Sequence, residues 1–114
     1  MSVSSPALSD QDLDEVRGIL ARLRDENQAD VERARATLDD LGANRLLVDP
    51  SMREVSTNAE YLLEDAQSIL DKIAAAERRL EAGTFGTCTS CGAGIPMGRL
   101  RLRPYQPTCV ACSQ

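Results

Sequence analysis

The chain has no histidine and no tryptophan, a single phenylalanine and two tyrosines. Histidine is the commonest general base near neutral pH, so its absence excludes His-dependent triads and His-ligated catalytic metals. With three aromatic rings in all, a large aromatic-filled core is excluded as well. No apolar run is long enough to span a bilayer, and the N-terminus lacks a basic-then-apolar signal pattern. A cytoplasmic protein with no membrane partner is therefore expected. Acid is missing from one region: all 18 acidic residues lie between Asp10 and Glu81, where the net charge is −8. Residues 83–114 carry Arg99, Arg101 and Arg103 against no acid. With an overall charge of −5, a protein that coats DNA is not expected.

The 114 residues suit one compact unit. Apolar residues make up 42% of them, mostly Leu, Ala, Val and Ile, which suits helices packed along a seam. A chain with so little to bury gains from a metal staple.

Residues 1–8 are Ser-rich and are expected to be disordered. Ser9 can cap a helix whose first turn carries Asp10 and Asp12, acids favoured at the positive end of the helix dipole. Leu13, Val16, Leu20, Leu23, Val31, Ala34, Leu38 and Leu41 then follow at alternating steps of three and four, with polar Asn27 completing the series. That is the a/d seam of a coiled coil. Gly42 is the expected terminator. A second helix is expected from Pro50, with Ser51 to Glu54 in capping-box form. Its seam reads Val55, Ala59, Leu62, Ala66, Ile69, Ile73, Ala76 and Leu80, closed by Gly83.

The two seams face each other if the chain folds back between Leu46 and Leu47, pairing Leu38 with Val55, Val31 with Leu62 and Leu20 with Ile73. The expected fold is mostly α: an antiparallel two-helix coiled-coil hairpin over 9–83, its tip near 42–50, followed by a small C-terminal zinc-finger module over 84–114. A monomer is expected, with pairing of the helices between two chains as the alternative.

That module carries Cys88-Thr89-Ser90-Cys91 and, seventeen residues on, Cys109-Val110-Ala111-Cys112. Two Cys-x-x-Cys turns in a reducing compartment read as four thiolate ligands of one structural Zn²⁺. Gly92 and Gly94 supply permissive backbone for the turns. Two disulfides, a redox pair and an iron–sulfur cluster are the alternatives. A closed site of four cysteines leaves no position for water, so an enzyme is not expected. The metal would order residues whose apolar partners are Phe85, Ile95, Leu100, Leu102 and Tyr105. Arg99, Arg101 and Arg103 alternate with Leu100 and Leu102, as on a short strand with one wet face. They read either as a solvated edge or as a contact for an acidic protein surface or a phosphate.

The stretch Glu81 to Cys88, then Cys91-Gly92, Ile95-Pro96, Arg99-Leu100, Arg103-Pro104 and Cys109 to Cys112, resembles the DksA/TraR zinc-finger family. The resemblance is specific over 69–112 and only architectural over 10–68. It implies a transcription regulator that binds bacterial RNA polymerase directly and without sequence-specific DNA binding, with the hairpin in the secondary channel and the finger against the outer rim. The family's Asp-x-x-Asp-x-Ala tip pattern is absent. The tip here places Arg45, Leu46, Leu47 and Val48 at the apex, with Asp39, Asp40 and Asp49 on its shoulders. An apolar apex must fold onto itself or meet a partner, so Asp39, Asp40, Arg45, Leu46, Leu47 and Asp49 are the candidate tip contacts. The helix that follows the finger in longer members has no counterpart after Cys112, so dependence on the alarmone ppGpp is not expected. Two further functions compete: an adaptor that recognises another protein or an RNA, and a sensor whose zinc leaves on thiolate oxidation.

Overall fold

The first helix begins where Ser9 and Asp12 cap it reciprocally. The Asp12 N–H donates to Ser9 Oγ at 3.0 Å, and the Ser9 N–H donates to Asp12 Oδ2 at 3.2 Å. Two of the backbone donors orphaned at a helix start are thereby satisfied. In the computed structural model, which describes residues 8–43 and 50–112, this helix α1 spans Asp10–Ala43 and α2 spans Pro50–Ala82. A short α3 spans Met97–Leu102. The two long helices pack against each other as an antiparallel hairpin, and no β-strand occurs among the described residues.

The helix ends depart from expectation at two points. Gly42 does not stop α1, which continues to Ala43; a single glycine costs a helix only about 1 kcal/mol against alanine. Ser51 is the second residue of α2 rather than the residue before it, because α2 already begins at Pro50, where the missing N–H of proline costs nothing. The far end of α2 closes as expected. Gly83 adopts φ +78°, its N–H donates to the Leu80 carbonyl at 3.3 Å, and the Thr84 N–H donates to that of Arg79 at 3.0 Å. This is the paired bonding of a Schellman motif.

The chain divides into two compact units. One comprises 24–71, and its buried apolar residues are Val31 and Ala34 on α1 with Ala59 and Ala66 on α2. Here the expected α2 seam is out of register. Val55 is 47% exposed and Leu62 39% exposed, whereas Met52, Ser56 and Leu63 are half-buried. The inward stripe therefore runs 52, 56, 59, 63, 66, and the proposed facing of Val55 with Leu38 and of Leu62 with Val31 does not hold. Ala59 and Ala66 belong to both series, so the sequence pattern alone does not separate them.

The other unit comprises 1–23 with 72–114. It buries Val16, Leu20, Ile73 and Ala76 from the two helices together with Phe85, Cys88, Ile95 and Leu100 from the C-terminal module. Leu20, Ile73, Leu100, Val16 and Pro104 are the largest fully buried side chains. Leu8 packs at Gly86, within reach of the finger. Residues 1–7, on which the rest of the expected disordered N-terminus falls, lie outside the described residues.

Candidate metal centre and finger edge

The first cysteine pair sits in a tight turn separated from the end of α2 by residues 83–87. The Gly92 N–H donates to the Cys88 carbonyl at 3.0 Å, and the Ser90 N–H points at Cys88 Sγ at 3.4 Å. Gly92 takes φ +79° to close the turn. Gly94 needs no such freedom: it pairs with Thr87 in a single antiparallel bridge. Flanking bonds from the Cys88 N–H to Ala93 O and from the Ile95 N–H to Gly86 O, both 2.7 Å, hold the knuckle's base. The second pair closes through the Cys112 N–H and the Cys109 carbonyl at 3.1 Å. The Thr89 N–H, donating to Pro107 O at 2.9 Å, ties the two knuckles together.

These bonds bring Cys88, Cys91, Cys109 and Cys112 together, with all four sulfurs within 4.8 Å of one another. Zinc held at about 2.3 Å by four sulfurs in a tetrahedron sets neighbouring sulfurs roughly 3.8 Å apart. Cys91 Sγ and Cys109 Sγ are 3.7 Å apart, far beyond a disulfide bond of about 2.05 Å. Four sulfurs gathered at this spacing suit a tetrahedral zinc. Cys88 is buried, Cys109 half-buried, and Cys91 and Cys112 exposed.

Crowding of the sulfurs separates their acidities. Cys88 is lowered to about 6, chiefly by the backbone N–H of Cys109 and against the opposing effect of burial. Cys112 is pushed up to about 12, first by hydrogen bonding to Cys109 and then to Cys91 and Cys88. At Cys91 the Ala93 N–H favours the thiolate, but hydrogen bonds with Cys88 and Cys109 help leave the net shift upward. Cys88 thus ionises before Cys91 and Cys112. A divalent cation among them reverses that order, because it stabilises all four thiolates.

The arginine edge is helical, which corrects the strand reading. Pro96, in extended backbone, caps α3, and the Arg99 and Leu100 N–H groups both donate to its carbonyl at 3.0 and 3.1 Å. On a helix, residues two apart lie about 200° apart rather than on one face. Leu100 is accordingly fully buried while Leu102 is 84% exposed, so Leu102 is not one of the finger's internal partners. A six-residue helix is too short for its period to show in the sequence, and the Arg/Leu alternation imitates a strand.

The three arginines part company. Arg99 is half-buried and Arg103 exposed. Arg101 is engaged within the chain: its Nε donates to Glu15 Oε2 at 2.8 Å and its Nη2 to Oε1 at 3.5 Å. The Glu15 hydrogen bond, then its charge and that of Asp12, raise the Arg101 pKa further above its ordinary value. Glu15 is the site residue that sequence reasoning missed. It lies 86 residues from its partner, and no local pattern couples positions so far apart. Among the tip candidates, Asp39 and Asp40 are exposed on the last turns of α1. Arg45, Leu46, Leu47 and Asp49 lie outside the described residues.

Comparison with known proteins agrees with this geometry. Residues 83–114 match the family described as prokaryotic dksA/traR C4-type zinc finger. The RNA polymerase-binding transcription factor DksA of Escherichia coli strain K12 is 29% identical over 107 residues, covering 92% of this chain and 71% of that protein. Its Salmonella typhimurium counterpart is 28% identical over the same coverage. The solved structure of transcription factor DksA2 from Pseudomonas aeruginosa superposes with a TM-score of 0.78 at 34% identity, covering 90% of this chain and 81% of that one. Four cysteines at metal-binding distance, within a matching C4 finger, form the site of one structural zinc. The finger match, and the likeness to DksA2 along most of both chains, place this chain in the DksA/TraR family.

Proposed function

We propose that this chain is a non-enzymatic transcription regulator that binds bacterial RNA polymerase directly. The observation that carries the reading is the joint one: a closed four-sulfur site beside a two-helix hairpin, aligned over 92% of the chain with a relative named as RNA polymerase-binding. Four thiolates complete the coordination of zinc, which leaves no open position for a substrate or an activated water. The metal's role is to order the finger.

In this reading the hairpin enters the polymerase secondary channel as a monomer in the cytoplasm. Two packed helices present a narrow end that a globular domain does not. Toward that end Asp39 and Asp40 lie exposed on the last turns of α1, and Arg45, Leu46, Leu47 and Asp49 follow in the sequence that leads to α2. A connecting sequence with two adjacent leucines and one arginine favours apolar contact with the partner over contact through carboxylates.

The test is binding of the zinc-loaded chain to bacterial core RNA polymerase, beside a variant with Arg45, Leu46 and Leu47 changed to Ser. Native binding at micromolar concentration, with loss of binding or of transcriptional effect in the variant, is the expected result. Failure of the native chain to bind leaves the adaptor function in its place. A zinc-thiolate sensor is a second reading, favoured by the exposure of Cys91 and Cys112. Zinc release at low peroxide supports it, and retention of zinc removes it.

A further inference from the structure

The finger and the two long helices share one core, yet α3 also carries a polar fastening of a different kind. Glu15 sits on α1 and Arg101 on α3, 86 residues apart, joined by two N–H···O bonds of 2.8 and 3.5 Å. Two-pronged pairing of a planar guanidinium with a carboxylate restricts orientation as well as distance. Asp12, one turn before Glu15, adds attraction of the same sign. On the other face of α3, Leu100 is fully buried. Leu100 shares that core with Phe85, Cys88 and Ile95, and apolar burial is non-directional. An ion pair on a second face adds a directional restraint.

A neighbouring contact reinforces the arrangement. Leu8 reaches the backbone at Gly86, where an added Cβ would stand 2.9 Å from Leu8 Cδ1. Gly86 also takes φ +88°, so both its conformation and its lack of a side chain admit Leu8 there. The start of α1 therefore meets the finger before the first knuckle, at Gly86, and after it, at Arg101.

We propose that Glu15 is a positioning residue: through Arg101 it sets the orientation of the zinc finger on the helical base, independently of zinc binding. Glu15 touches no metal ligand and leaves the four sulfurs as they are. What it fixes is the direction in which α3 presents exposed Leu102 and Arg103. Because the pair is about half-exposed, its hold is sensitive to salt, whereas the buried core and the thiolates are not.

The experiment measures hydrogen exchange of the full, zinc-loaded chain at the α3 amides. The Leu100 and Arg103 N–H groups report best, since they donate to the carbonyls of Pro96 and Arg99. Glu15→Gln keeps the size and helix propensity of the side chain and removes only its charge. It should speed exchange at these amides by about two- to fivefold, the scale of a partly exposed ion pair. Arg101→Glu should do so more strongly, since Asp12 and Glu15 then both repel it. The double variant E15R/R101E should return exchange toward the native rate. Salt of about 1 M should bring the native chain up to the Glu15→Gln rate at low salt.

Zinc stoichiometry should stay at one in every variant. Unchanged α3 exchange in both single variants overturns the proposal. So does failure of the charge exchange to rescue. Loss of zinc from Glu15→Gln also overturns it, because Glu15 would then support the metal site rather than orientation.

Discussion

Leu20 and Leu62 occupy seam positions that look equivalent in the heptad pattern, but Leu20 is fully buried and Leu62 is 39% exposed. The energetic consequence is large. Leu20→Ala removes buried methylenes and opens a cavity, so it should cost about 2–5 kcal/mol. Leu62→Ala should cost less than about 1 kcal/mol, because much of that side chain is already in water. Urea unfolding of the two variants followed by helical circular dichroism checks the contrast. Equal losses would return Leu62 to the core. At the same scale, one glutamate sets Arg101 apart on the arginine edge: Arg101 and Arg103 are both exposed, and Arg101 is bonded to Glu15.

Among the elements, the zinc finger depends most on something outside the polypeptide. Phe85, Ile95, Leu100 and Pro104 are its buried apolar residues besides Cys88, too few to hold some thirty residues on their own. Metal binding is therefore largely the folding energy of this element. Without metal, Cys88 at about 6 is already mostly ionised at pH 7, while Cys91 and Cys112 are raised and keep their protons. Zinc uptake at neutral pH should consequently release the Cys91 and Cys112 protons, seen as acidification of a weakly buffered solution containing an indicator dye. Lowering the pH should weaken zinc binding, since protons compete for the same sulfurs. Chelation should abolish amide protection across 84–112 and leave most helical circular dichroism, because α1 and α2 span 34 and 33 residues against six in α3.

Taken whole, the molecule joins two units with unequal cores. The unit holding the finger buries Leu20, Ile73, Val16, Phe85 and Leu100. The unit over 24–71 buries three alanines and Val31, and alanine contributes little apolar area. At about 25 cal/mol per Å² of apolar surface, the second core is the weaker one. Native-state hydrogen exchange should therefore show lower opening free energies for amides in 28–40 and 55–68 than for those in 73–80 when zinc is bound. Uniform protection along both helices would show that they open as a single cooperative body instead. A less stable hairpin end suits a segment proposed to adapt to a polymerase surface.

Much of this is legible in the residues alone. Four cysteines in two Cys-x-x-Cys turns already point to a metal site, because ligand chemistry is local and its spacing is short. The Ser9 cap, the Gly83 stop and the two long helices follow from side-chain hydrogen bonding, backbone freedom and heptad period, all of which act within a few residues. Tertiary structure decided what depends on a neighbour distant in sequence. Whether Leu62 or Leu63 turns inward depends on how α2 rotates against α1, and the sequence of α2 supports both stripes through Ala59 and Ala66. Whether the Arg/Leu alternation is strand or helix depends on Pro96 capping a turn and Leu100 reaching the shared core. That Arg101 meets Glu15 depends on the fold bringing together the two ends of the chain, a proximity that no local pattern of charge or hydropathy encodes.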